Sequence, residues 1–212
     1  VVTSTDTTVR QLLAIMQEEA ASLNRDYDWQ KMVREDTFTT VATAAQTDAV
    51  STDWDRFIDY SFFNRTTMRP LWQVTPQVWQ AIQAYPAQAR VFLSFRQRTN
   101  EFLITPTPPA GETIAYEYVS NKWARTSDLV TDKTEFTLDT DVTYLAEDLI
   151  YLGARWRWRK TKGLAYAEDM DTYIRERDRR VARDTARPRI SLTGQDFNYG
   201  FFPNIPEGNF GL

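Results

Sequence analysis

Cysteine and histidine are both missing from this 212-residue chain. No disulfide can staple the fold and no Cys/His set can hold zinc. No histidine can serve as general base in a Ser-His-Asp or Cys-His arrangement. Carboxylate, lysine and tyrosine chemistry stays open. Glycine is scarce, at 7 residues. Gly111, Gly153 and Gly163 stand alone, so there is no Gly-rich phosphate loop or dinucleotide fingerprint. No run approaches the roughly 20 apolar residues of a membrane helix. The opening VVTSTDTTVRQ lacks the basic and apolar regions of a signal peptide, so cytoplasmic synthesis is expected. Lys and Arg number 25 against 29 Asp and Glu, a net charge of −4. That balance argues against a chain that coats nucleic acid. The NRT triplet at Asn64 matches a glycosylation sequon, but without a secretory signal it reads as chance.

What is present is enough for a core: 42% of residues are hydrophobic and 14% aromatic. The length suits one domain with an embellishment, or one and a half small domains. Val9, Leu12, Leu13, Met16, Ala20 and Leu23 share a stripe at helical spacing. They predict a first helix over about Thr7–Leu23, with Asp6 as its cap. Thr37–Val50 is rich in threonine and valine and predicts extended structure. Trp54–Tyr60 predicts a short strand. Thr75–Tyr85 predicts a short helix, capped by Thr75 with Pro76 in its first turn.

The hydrophobic period then switches to two. VFLSFR, a Thr99-Asn100 turn, EFLIT, a proline-rich loop over Pro106–Glu112 and TIAYEYV follow in order. Ile114, Tyr116 and Tyr118 alternate onto one face. Together they predict a two- or three-stranded antiparallel element over Arg90–Trp123, with TEFTL (Thr134–Leu138) as a further candidate strand.

Two helices are predicted next, about Thr143–Lys160 and Ala165–Asp184. Asp139, Asp141 or Thr143 would cap the first and Gly163 would stop it. On the second, Asp171→Arg175 and Glu176→Arg180 are favourably oriented i,i+4 pairs. The first of these helices has two apolar stripes. Leu145, Leu149, Leu152, Gly153 and Trp156 form one, which places Trp156 in the core. Tyr144, Tyr151, Ala154 and Trp158 form the other, with Asp148, Arg155 and Arg159 in a polar seam between. A helix apolar on opposite sides is buried on both: either mid-domain, or with one side against a neighbouring subunit. Trp, Tyr and Arg suit the second case. From Arg155 to Arg189, twelve Arg or Lys meet six Asp or Glu. Ion-paired helix faces explain this; a nucleic-acid surface is the alternative.

The closing stretch, SLTGQDFNYGFFPNIPEGNFGL (191–212), is apolar and nearly uncharged. It carries Phe197, Tyr199, Phe201, Phe202 and Phe210 between glycines and prolines that forbid a continuous helix. It would fold back on its own body or dock extended in a partner's groove. The partner contacts expected under the second option are Phe197, Tyr199, Phe201, Phe202, Pro203 and Phe210.

Three blocks in this order carry a resemblance: VFLSFRQR…FLITPTPPAGETIAYEYVSNKWA, LDTDVTYLAEDLIYLGARWRWRKTKGLAYAEDM and FNYGFFPNIPEGNFG. Over about residues 90–212 the chain resembles head-to-tail adaptor (connector) proteins of tailed bacteriophages. The resemblance implies an α+β chain with a mainly helical body of long antiparallel helices. That body would span 1–89 and 124–190, with a small antiparallel β insertion at 90–123 and an extended docking tail at 191–212. It implies a virion neck component: a homo-oligomeric ring of about twelve copies beneath the portal. The ring binds the portal protein on one side and a tail or nozzle protein on the other. Viral DNA passes through its channel without specific binding. Tyr151, Arg155, Trp158 and Arg159 would face the neighbouring subunit. No catalytic residue, metal, cofactor or membrane association is expected. A nucleic-acid-binding module on Arg155–Arg189 and, behind it, a carboxylate-based hydrolase are the alternatives.

Overall fold

Asp6 starts the first helix as its side chain accepts the backbone N–H groups of Thr8 at 2.7 Å and Val9 at 3.2 Å. That satisfies two donors an unfinished helix leaves open. The helix, α1, runs Thr7–Asp26 and buries Glu19, Ala20, Leu23 and Asn24. The computed structural model describes residues 2–47, 49–84, 93–99 and 101–184. The other helices are α2 (Pro76–Ala84), α3 (Glu147–Thr161) and α4 (Ala167–Asp184). α3 begins at Ala146 without a side-chain cap, so none of Asp139, Asp141 and Thr143 serves. Gly163 does end it, in the left-handed region at φ 69°, where glycine is unstrained.

The body is not mainly helical. Twelve strands in three sheets accompany the four helices among the described residues, a mixed α+β chain. The expected small insertion at 90–123 is overturned as well, because strands extend from Val33 to Thr143. Most are two residues long, too short to show any period, and some pair with strands far away in sequence. β7 (Ser94–Arg98) and β8 (Glu101–Thr105) form the expected hairpin, with Phe95 opposite Ile104. Their other neighbours are β6 (Trp72–Gln73) and β2 (Ala45–Gln46). β9 (Thr113–Ser120) belongs to a different sheet, beside β3 (Trp54–Phe57) and β4 (Phe63–Asn64). Both its faces are buried and only Glu117 is exposed. TEFTL forms no strand; Asp141 instead accepts the backbone N–H groups of Thr137 and Leu138.

The chain divides into two compact units. The first takes in the described residues of Val1–Asp36, Ser51–Ile58 and Glu117–Arg187. Its helices α1 and α4 each pack on α3. Three short strands, β10 (Ala124–Arg125), β11 (Asp132–Lys133) and β12 (Val142–Thr143), form an antiparallel sheet with β10 central. Leu23, Trp29, Met32, Val119, Trp123, Leu149, Ile150 and Tyr173 make up most of its core.

The second unit takes in the described residues of Thr37–Val50 and Asp59–Tyr116. Its core is a ring cluster: Phe62 lies 3.9 Å from Phe95 and 5.2 Å from Tyr116, and Phe102 packs edge-on to Tyr116 at 5.5 Å. Offset and edge-on rings add attraction beyond their buried area. The Tyr116 hydroxyl donates to the Ala49 carbonyl. Asn64 of the NRT triplet is fully buried. It donates to Glu112 and accepts from the Thr66 and Thr67 backbones, which closes it to glycosylation in the folded state.

Candidate subunit interface

α3 is buried along Leu149, Ile150, Gly153 and Ala154. Its opposite side carries Tyr151, Arg155, Trp158 and Arg159, the four residues singled out from sequence, spaced three or four apart along one face. Tyr151 is 61% exposed, and the Arg155 guanidinium stands 5.7 Å over its ring. One turn on, the Lys162 ammonium stands 4.4 Å over Trp158. Cations over aromatic faces are mutually stabilised.

The arginines are held from α4. Asp169, only 7% exposed, is in ion-pair contact with Arg155 and with Arg159, each at 2.7 Å. One carboxylate at the start of α4 thus orients two side chains of α3. Sequence reasoning missed Asp169; its place in the first turn of a charged helix gave no sign of burial. Along α4, Arg180 pairs with Glu176 at 3.2 Å, as predicted, and with Asp148 of α3. The Arg175 guanidinium turns instead to the Asp171 backbone carbonyl.

Trp156 does not reach the core centre. It is half-buried and packs against the core's margin, 6.4 Å from the Tyr173 ring. The place its stripe shares with Gly153 is taken by Glu19 of α1, which is fully buried. A Cβ at Gly153 would overlap the Glu19 carboxyl group, so any larger residue here would make that side chain move. Arg157 reaches Glu19 at 2.5 Å. Burial pushes the Glu19 carboxyl above its ordinary value, opposed by the Tyr173 hydroxyl and the Arg157 guanidinium. Burial, and then Glu19 itself, push the Tyr173 hydroxyl up.

A second charged cluster lies in the same unit. Asp53 accepts the hydroxyls of Ser51 (2.6 Å), Ser120 (2.7 Å) and Tyr118 (2.8 Å), and Arg34 donates to it at 2.9 Å. Burial alone would raise its pKa; these donors outweigh burial and hold it at about 2. The other arm of Arg34 donates to Asp132 at 2.7 Å, which also accepts the Tyr144 hydroxyl at 2.8 Å. Arg34 and Arg125 both sit over the Tyr144 ring, at 5.6 and 4.9 Å. Asp53 is thus kept ionised among four donors, an arrangement that fixes strands and does not poise this carboxyl to give or take a proton near neutral pH.

No protein-family model and no curated protein matches this chain. The tail residues Phe197, Tyr199, Phe201, Phe202, Pro203 and Phe210 lie outside the described residues.

Proposed function

We propose that this chain is a structural virion protein, a head-to-tail adaptor that assembles as a ring beneath a portal and joins the head to the tail. The observation that carries the reading is the outer face of α3. It is an aromatic and arginine surface, held in place by Asp169 and with Tyr151 mostly in solvent. Aromatic residues and arginine are the types enriched where proteins associate. α1 adds to it: in the stripe of its first turns, Leu12 is exposed and Val9 and Leu13 are only half-buried, apolar surface that a second copy would cover.

The ion pairs of α3 and α4 weigh against the nucleic-acid reading. Arg155, Arg157, Arg159 and Arg180 are each matched by a carboxylate, which lowers the charge available for phosphate.

The test is to mix the purified protein with portal-bearing heads of its own virion and measure bound copies by mass. The expectation is a stoichiometric ring of about twelve, lost when residues 191–212 are deleted while the body stays folded. Absence of binding to such heads, or unchanged binding by the truncated chain, would count against the adaptor role.

A further inference from the structure

A cavity of about 410 Å³ opens in the second unit. Its floor is apolar, with Phe62 and Phe95 buried beneath it. Its rim carries Tyr60, Trp72, Asp59 and Gln73. Among the described residues that line it, the Asp59 carboxylate is the one charged group, and none is a lysine or arginine. Tyr60 sits in the left-handed region at φ 62° and the residue is 91% exposed. A side chain there is strained, and so exposed a ring returns no packing energy to the fold. Strain kept without a packing reason points to use at a surface.

We propose that this cavity receives an arginine side chain presented by a partner protein. Its guanidinium stacks on the aromatic rim, and its N–H groups turn to Asp59 and Gln73. The faces of Tyr and Trp attract cations. The carboxylate accepts only, and the Gln73 amide oxygen supplies a second acceptor. A flat guanidinium with five donors, weakly hydrated, matches rings and acceptors together better than a compact ammonium does. Among the described lining residues no cation stands with this carboxylate, so the site favours a cation over phosphate.

The experiment is an NMR titration of the full chain, following the Trp72 indole N–H. The probes are N-acetyl-arginine amide, N-acetyl-citrulline amide (the same shape without the charge) and N-acetylglucosamine. Arginine is expected to shift the signal saturably, with the citrulline probe roughly tenfold weaker and the sugar without effect. Asp59→Asn should weaken arginine binding to a similar degree. Tyr60→Gly separates binding from folding: glycine relieves the left-handed backbone, so the melting temperature holds or rises while arginine binding falls. Equal binding of citrulline, binding of the sugar in place of arginine, no saturable shift with arginine, or a Tyr60→Gly variant that melts earlier yet binds arginine unchanged would each overturn the proposal.

Discussion

The two units bury different chemistry. The first buries carboxylates: Glu19 at 0%, Asp53 at 6% and Asp169 at 7% exposure, each met by arginine from a different stretch of the chain. The second buries rings, with Phe62, Phe95, Phe102 and Tyr116 packed on one another, and its buried carboxylate, Glu112, is met by the neutral Asn64 amide. Paired charges hold elements at fixed angles and registers because a misplaced partner leaves a charge buried alone. Rings are held by area and shape, and are indifferent to pH. The first unit should therefore respond to acid and base, and the second to changes of volume.

The largest effect is expected in the ring cluster. Phe62→Ala should cost about 3–5 kcal/mol, since a buried phenyl group leaves a cavity its neighbours cannot close. Chemical denaturation at two pH values would check it, and the loss should be the same at both. Asp53→Asn should cost about 2 kcal/mol at pH 7, because it removes the charge that three hydroxyls and one arm of Arg34 are aimed at while Arg34 keeps Asp132. Because the folded pKa of Asp53 is depressed to about 2, its contribution is complete above the unfolded value near 3.8. It is lost as pH falls toward 2, roughly 2 kcal/mol in all. The asparagine variant should lack that acid limb in a series of melts; an unchanged limb would assign the acid sensitivity elsewhere.

Gly153→Ala comes next, at about 1–3 kcal/mol, because the new methyl group must push the Glu19 carboxyl away from Arg157. A melt unchanged from the parent would show that the Glu19 side chain can shift aside without loss. The smallest effect is the other pH limb. Glu19 is raised, so its contribution is present below its ordinary value of 4.5 and lost as pH rises through its folded value. Glu19→Gln should flatten the stability profile above pH 4.5 and leave the acid limb of Asp53 in place. If Glu19→Gln removed the acid limb instead, the two carboxylates would have exchanged roles.

Sequence made the helices legible because their signals are local. The stripe from Val9 to Leu23 and the Asp6 cap predict α1, and Gly163 marks the end of α3. The β7–β8 hairpin was equally readable, from alternation on either side of a turn. The sheets were not. β10, β11 and β12 are two residues each, and β9 finds partners at Trp54–Phe57 and Phe63–Asn64, some 50 to 65 residues back. Pairing at that distance leaves no mark in a local pattern, so a mixed α+β chain with three sheets read as a mainly helical body with one small β insertion. The exposed face of α3 was visible only in part as a second stripe, since Ala154 of that stripe is buried and Tyr144 precedes the helix, and its anchor, Asp169, was not visible at all. Nor was Glu19, which looked like one more polar residue on α1. A buried charge becomes visible only once its arginine is seen across the contact.

The central claim, that the outer face of α3 joins one copy to the next, is tested most directly by charging that face. Native mass of the material bound to portal-bearing heads should be compared for the parent and a Tyr151→Glu/Trp158→Glu variant, with circular dichroism as the check on folding. The account predicts a closed ring for the parent and a folded variant that binds singly or not at all. A folded variant that closes the same ring as the parent would contradict it.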